Sequence, residues 1–411
     1  MMKFAHMADC HIGSWKDQKL RDISLKAFSK SIDKCIEQQV DFVLIAGDLF
    51  NTSLPAIDRL KQVTIKLKQL KDKEIPVYTI PGSHDFSPSG KTMLSVLEKA
   101  GLIINVVNGN VTEDKRLKLR FTIDTKTNAK ITGMLGKKGM LEKKYYEQLI
   151  TENLEQEQGY KIFMFHSAID ELKPKELEKI RTQPLSLLPK SFNYYAAGHV
   201  HYIKEFDIDG YGKIVYPGAL FPNNFRELEQ FSCGGFYIVE YDPETKNTNL
   251  KYEQIKIYNH QSIIIESHHL TPEQIKQKLL DEIQNNEFIN TIVTLRVKGI
   301  IDGKVSDIDW KSIFNQIYQK SAYFVMKSTS MLKTKEFEEI KIDTKTSTEE
   351  LESNLIRQHI GQIKVENLLP DKEEQLTKDL IKALATEKQE GEKVIDFETR
   401  VKSELNKVLN F

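Results

Sequence analysis

Cysteine is scarce: 411 residues hold three, Cys10, Cys35 and Cys233. An odd number with no short spacing argues against a disulfide framework and against a thiolate zinc knot. Net charge is missing too, because 59 basic side chains are balanced by 59 acidic ones. Global charge therefore points to no polyanionic partner, and any nucleic-acid surface has to be a local patch. Long apolar runs are lacking: Phe42 to Ala46 and Ile162 to Phe165 fall far short of the roughly 20 residues that span a bilayer. The opening residues turn polar by Asp9, without the apolar centre and cleavage site of a secretory signal. The expectation is a reduced, cytoplasmic protein with no membrane segment.

What is present fits a folded chain of more than one domain. Hydrophobic residues at 40% and charged residues at 29% are near globular averages, and the length exceeds what one core organises. In the first half, short runs rich in Val, Ile and Phe alternate with longer segments of helical spacing, which predicts an α/β fold. The runs are Lys3 to Ala8, Asp41 to Ala46, Val77 to Ile80, Tyr160 to Phe165 and Tyr194 to Ala197. Ile23, Ala27, Ile32, Cys35 and Ile36, and then Leu60, Val63, Leu67 and Leu70, recur at intervals that predict two crossover helices.

From Asp207 to about Tyr258 the pattern predicts hairpins closing a second sheet. Residues 261–333 read as a compact α/β domain, with strands at Ser262 to Glu266, Thr291 to Val297 and Ala322 to Lys327. Thr271, Pro272 and Gln274 supply a capping box and a first-turn proline for one helix; Ile313, Phe314 and Ile317 mark another. A Lys/Glu/Thr-rich link over 334–350 leads to 351–411. There Leu351 with Leu355, Leu376 with Leu380 and Leu384, and Val401 with Leu405 and Val408 predict three amphipathic helices. Single apolar stripes bury little on one another, so they pack on earlier domains or await a partner.

The chemistry is concentrated just after the predicted strands. Asp9 with His11, Asp48, Ser83 with His84 and Asp85, His166, and His199 with His201 each follow one. Strand carboxyl ends are where α/β sheets bind ligands, so the clusters should share one rim. A lone histidine there is more often a satisfied buried group, but five of the ten histidines fall in these clusters, which makes coincidence the weaker reading. In extended chain, residues two apart point to one side, so Asp9 with His11 and His199 with His201 are expected to chelate. Gly47, Gly82 and Gly198 precede three of the clusters, where backbone must turn and approach an ion closely.

Imidazole and carboxylate without thiolate suit manganese, iron or zinc. The set holds more donors than one ion needs, and a carboxylate such as Asp48 can bridge two ions about 4 Å apart. Phosphoester hydrolysis is the expected reaction.

The series Asp9-Cys10-His11, Gly47-Asp48-Leu49-Phe50, Gly82-Ser83-His84-Asp85, His166 and Gly198-His199-Val200-His201 resembles the calcineurin-like metallophosphoesterase signature. In order and spacing it is most similar to the nuclease subunit of the DNA double-strand-break repair complex, the SbcD or "meiotic recombination eleven" family. The resemblance implies a metallophosphoesterase β-sandwich flanked by helices over 1–260, a small α/β capping, DNA-binding domain over 261–333, and a helical segment over 351–411 that binds a coiled-coil ABC-type ATPase. It implies two Mn2+ ions, one held by Asp9, His11, Asp48 and His201, the other by Asp48, residue 83, His166 and His199. His84 would lie at the phosphate as stabiliser or acid, with Asp85 as its orienting partner. A homodimer acting on DNA ends, nucleoid-associated, with 3′ to 5′ exonuclease and single-strand or hairpin endonuclease activity, is what the family implies.

This chain departs from that pattern at two positions. Ser83 stands where the family has Asn, a longer-reaching donor, which bears on the second ion. Asn51 stands where many relatives have His or Asp after Asp-Leu-Phe, which bears on exonucleolytic processing. For DNA contacts, ten basic against two acidic residues between Lys115 and Lys144, including Lys137 and Lys138, form a candidate phosphate track; a solvated lysine-rich face is the competing reading. Arg226, close after the last ligands, is a further candidate, with a structural role as its alternative. Two other functions stand beside the nuclease: a phosphatase or small-nucleotide phosphodiesterase on the same scaffold, and a catalytically weakened scaffold subunit.

Overall fold

A computed structural model describes residues 1–87, 90, 92–174, 180–334, 353, 356–357, 370–386 and 394–409. The alternation read from the first half forms β1 (Met2–Met7), α1 (Gln18–Glu37), β2 (Phe42–Ala46), α2 (Ile57–Asp72), β3 (Val77–Ile80), α3 (Met93–Lys99) and the short β4 (Ile104–Asn105). α1 starts where the Asp17 side chain accepts the Lys19 N–H, satisfying a first-turn donor. It buries Leu20, Ile23, Ala27, Phe28, Ile32 and Cys35, and α2 buries Val63, Leu67 and Leu70.

The next region holds four brief strands, β5 (Gly109–Val111), β6 (Leu117–Leu119), β7 (Thr122–Ile123) and β8 (Lys130–Gly133), then α4 (Lys143–Glu147) and α5 (Glu152–Glu155). The two long predicted runs follow as β9 (Lys161–His166) and β10 (Tyr194–Gly198). Beyond them come β11 (Ile203–Asp207), β12 (Lys213–Pro217), α6 (Phe225–Phe231), β13 (Gly234–Asp242) and β14 (Asn247–Ile255). α6 interrupts a stretch expected to be all hairpin.

These strands build two six-stranded sheets, in the orders β14-β13-β1-β2-β3-β4 and β11-β12-β10-β9-β8-β7. β1 to β4 run parallel, as do β8, β9, β10 and β12. Alternate residues of each strand serve different cores. Phe4, Phe42, Ile162, Met164 and Tyr194 meet between the sheets, with Phe4 stacked on Phe42 at 4.9 Å. Ala5, Val43 and Ile45 face α1 and α2, whereas Phe163, Phe165 and Tyr195 share a core with Tyr146 of α4 and Leu154 of α5. Burial on both faces is why these strands read as unbroken apolar runs.

The remainder forms β15 (Asn259–Leu270), α7 (Pro272–Gln284), β16 (Thr291–Ile301), α8 (Trp310–Gln319) and β17 (Phe324–Thr334), with strand order β15-β16-β17. At α7 the capping box closes in both directions: Thr271 N–H donates to Gln274 Oε1 at 2.8 Å, and Gln274 N–H to Thr271 Oγ1 at 3.3 Å. Two helices follow, α9 (Pro370–Leu384) and α10 (Val394–Leu409). They carry the second and third predicted stripes; the Leu351 and Leu355 stripe and link residues 335–350 lie outside the described residues. The chain forms two compact units. Residues 1–264, 280–296 and 311–328 make one; residues 265–279, 297–310 and the described residues from 329 onward make the other. Among the described residues, no helix is long and apolar enough to cross a membrane.

Candidate metal centre

The ligand-type residues gather at the carboxyl ends of strands from both sheets, rather than along one open sheet. β1, β2 and β3 deliver Asp9, Asp48 and Ser83; β9 and β10 deliver His166 and His199. The loops after β1 and β2 stay paired, with Asp9 N–H donating to Gly47 O and His11 N–H to Asp48 O. The two sheets are tied at this end where His166 Nδ1–H donates to Ala46 O at 2.8 Å.

The expected chelates form only in part, and not through extended chain: Asp9 and His11 converge, whereas His199 and His201 part. Asp9, His11, Asp48 and His199 have φ of 49°, 41°, 53° and 84°, so the chain has left the extended region. Each left-handed non-glycine costs on the order of 1 kcal/mol, and the site concentrates four. His11 Nε2 faces His201 Nε2 at 3.1 Å, while His199 lies beside the His166 ring at 5.1 Å. Histidines two apart are thereby sent to different partners.

Glycine is needed for the close approach. A Cβ at Gly47 would enter the His166 ring, and one at Gly82 would enter the Asp48 carboxylate.

Asp9 and Asp48 organise the centre. Asp9 accepts the His199 N–H on both carboxylate oxygens, and Oδ1 lies 3.6 Å from His201 Nε2 and 3.8 Å from His11 Nε2. Asp48 Oδ1 accepts the His84 N–H at 2.7 Å. Its Oδ2 lies 3.1 Å from His166 Nε2, 3.6 Å from His11 Nε2 and 3.3 Å from the donating Ser83 hydroxyl. Three groups of donors converge: Asp9 with His11 and His201, His11 with Asp48 and His84, and Asp9 with Asp48 and His166.

The donor set fits divalent cations. His166 and His201 have their Nδ1 atoms engaged, by Ala46 O and by Glu227 Oε1 at 3.0 Å, which aims both Nε2 atoms into the centre. Ligand atoms about 3 Å apart, as in the His11 and His201 pair, are what bonds of roughly 2.1 Å to a common ion require. Cys10 is buried and contributes to the core behind the site.

Charge supports this. Burial raises the Asp9 and Asp48 carboxyls, but the surrounding imidazoles outweigh it and hold both below the usual carboxylate range. Burial lowers His166, but Asp48 and Asp9 outweigh it and push the imidazole up to about 9. His201 is raised likewise, by Asp9 and Glu227 against burial. His11 and His199 are pulled down to about 4, chiefly by burial. Protons on His166 and His201 balance the two carboxylates, in positions a cation would take over.

The Asp85 expectation is overturned. His84 Nδ1 donates to Asn51 O at 2.8 Å, so a backbone carbonyl orients the ring. The Asp85 carboxylate instead accepts the N–H groups of Leu49, Phe50 and Gly82. It fastens the loop after β2 to the loop after β3. Burial and the Asp48 charge push its carboxyl up to about 7 despite those donors.

A cleft of about 690 Å³ opens beside the centre, lined by His199, His201, Tyr202, Lys204, Arg226 and Phe231 among others. Arg226 is exposed there. Within the lysine-rich stretch, Lys126 pairs with Asp41, Lys130 with Glu157, and Lys137 sits over the Phe86 and Tyr145 rings at 4.7 and 4.5 Å. Lys138 is exposed. Sequence reasoning missed Glu227; the signal available was Asn224 three residues before it, a polar cap followed by Glu.

Comparison with known proteins agrees with the geometry. The calcineurin-like phosphoesterase family model matches residues 2–202. A protein of Archaeoglobus fulgidus described as "DNA double-strand break repair protein Mre11" is 26% identical over 320 residues, 75% of this chain and 69% of that one. A Methanococcus maripaludis protein of the same description is 30% identical over 58% of this chain and 62% of its own length. One from Methanocaldococcus jannaschii is 27% identical over 78% and 80%. The chain thus spans between three fifths and four fifths of these relatives. With the ligand series at the strand ends, this assigns the chain to the calcineurin-like metallophosphoesterases, in the Mre11/SbcD-type family.

Proposed function

We propose that this protein is a manganese-dependent DNA phosphodiesterase that processes double-strand breaks with two ions in the centre. One ion is held by Asp9, His11, Asp48 and His201, the other by Asp48, Ser83, His166 and His199. The observation that carries the reading is Asp48 Oδ2, one carboxylate oxygen within 3.6 Å of both His11 Nε2 and His166 Nε2. The DNA substrate is supported by the relatives, which are described as double-strand-break repair proteins.

Bound ions supply electrophilic polarisation of the phosphodiester and activation of water. The chain's own residues do the rest. His84 gives its Nδ1 proton to the Asn51 carbonyl, so it can protonate a leaving oxygen only from Nε2, as imidazolium. Arg226, exposed in the cleft, supplies a fixed positive charge for the flanking phosphate. Lys137, Lys138 and Asn51 are weaker candidates for DNA contact. The finer activities are 3′ to 5′ exonuclease and single-strand or hairpin endonuclease, in a homodimer whose C-terminal helices bind a coiled-coil ABC-type ATPase.

The test is cleavage of end-labelled duplex and circular single-stranded DNA by the full chain with manganese. Nicking and shortening that disappear in His84→Ala, with manganese binding retained, support the reading. Hydrolysis of phosphomonoesters or cyclic nucleotides with DNA left intact overturns it in favour of a phosphatase.

A further inference from the structure

α6 is seven residues long, too short to hold its own place, since isolated helices under about 12 residues are marginal in water. Its position must come from what it touches. Asn224 caps it, accepting the Glu227 N–H at 3.0 Å. Leu228 is fully buried in the core beneath α1. Two acidic side chains supply the remaining anchors, and residues two apart on a helix point to opposite sides.

On one side, Glu227 accepts the His201 Nδ1–H at 3.0 Å, and its other oxygen accepts the Asn223 N–H at 2.8 Å. On the opposite side, Glu229 takes the Arg296 guanidinium of β16 through both oxygens at 2.9 Å. Glu229 also accepts the Ser262 hydroxyl of β15 at 3.4 Å. The guanidinium lies 4.9 Å from the centroid of the Phe225 ring, at the start of the same helix. Both partners of the ion pair are largely buried, with side-chain exposures of 13% and 14%, and a planar fork on a carboxylate fixes direction as well as distance.

We propose that α6 is a positioning strut: the Glu229 and Arg296 pair sets where α6 sits, Glu227 carries that setting to His201, and the aim of His201 Nε2 is thereby fixed from β16. Glu227, Glu229 and Arg296 are positioning residues, none of them a metal ligand. This rests on the metal-centre reading above. Orienting partners of ligating histidines typically govern affinity by about 10- to 100-fold. The strut extends that control one step further, to Arg296, which touches no ligand.

The experiment is manganese titration of the full chain by calorimetry, with thermal melting of each variant alongside. Glu227→Gln and Arg296→Met should each weaken binding about tenfold, and the charge swap Glu229→Arg with Arg296→Glu should recover part of it. Arg59→Met, which breaks the ion pair to Asp22 between α1 and α2, is the stability control and should leave the isotherm unchanged. If Arg296→Met binds manganese as wild type does, or if Arg59→Met weakens binding equally at the same loss of stability, the strut is overturned. A wild-type chain that takes up no manganese would instead overturn the metal-centre reading itself.

Discussion

Ser83 is the residue on which the second ion turns. Its hydroxyl reaches Asp48 Oδ2 at 3.3 Å, the same oxygen that faces His166, so it spends its donor on the carboxylate proposed to bridge the two ions. An amide carbonyl there would offer a longer-reaching neutral oxygen with no proton to spend. Ser83→Asn should tighten the weaker manganese equivalent by roughly tenfold, the change that a stronger donor worth about 1.4 kcal/mol gives; an unchanged titration would mean that residue 83 is not a ligand. The protons on the site give a second test. His166 is pushed up to about 9, so below that pH manganese must displace its proton. Apparent affinity should rise with pH from 6.5 to 9, since His166 and His201 are both held protonated by the neighbouring carboxylates, with proton release in calorimetry at pH 7. A flat profile from 6.5 to 9 would show that His166 titrates elsewhere.

Elements differed in how far the sequence announced them, and the reason is physical. β1, β2, β9 and β10 are buried on both faces and read as apolar runs; α1 and α2 repeat their buried positions at helical spacing. The ligands were legible because each follows such a run. β5 to β8, at two to four residues each, are too short to show any period. α6 has one fully buried position, Leu228, so no apolar period marks Glu227 and Glu229 as anchors. Asp85 sits beside His84 in sequence, yet it bonds backbone 35 residues away, a pairing that only the approach of β2 and β3 creates. α7 is the opposite case, since its capping box was readable residue by residue. Thr271→Ala should cost about 1 kcal/mol, seen as a lower melting temperature without change in manganese binding; a neutral effect would mean that the reciprocal hydrogen bonds add nothing in solution.

At the scale of the whole molecule, the metal centre and the tail make separate claims. α9 and α10 pack on one another and leave Leu384 and Ile395 64% and 74% exposed. That supports the proposed docking of an ATPase coiled coil. Ending the chain at residue 350 should leave manganese binding intact and abolish ATPase association in a pull-down, whereas retained association would move the docking site elsewhere. Everything proposed for the centre depends on a pair of ions sharing Asp48. Manganese-soaked crystals measured at the manganese absorption edge should show two anomalous peaks about 4 Å apart with the Asp48 carboxylate between them; a single peak at full occupancy, or two peaks that do not share Asp48, would rule the pair out.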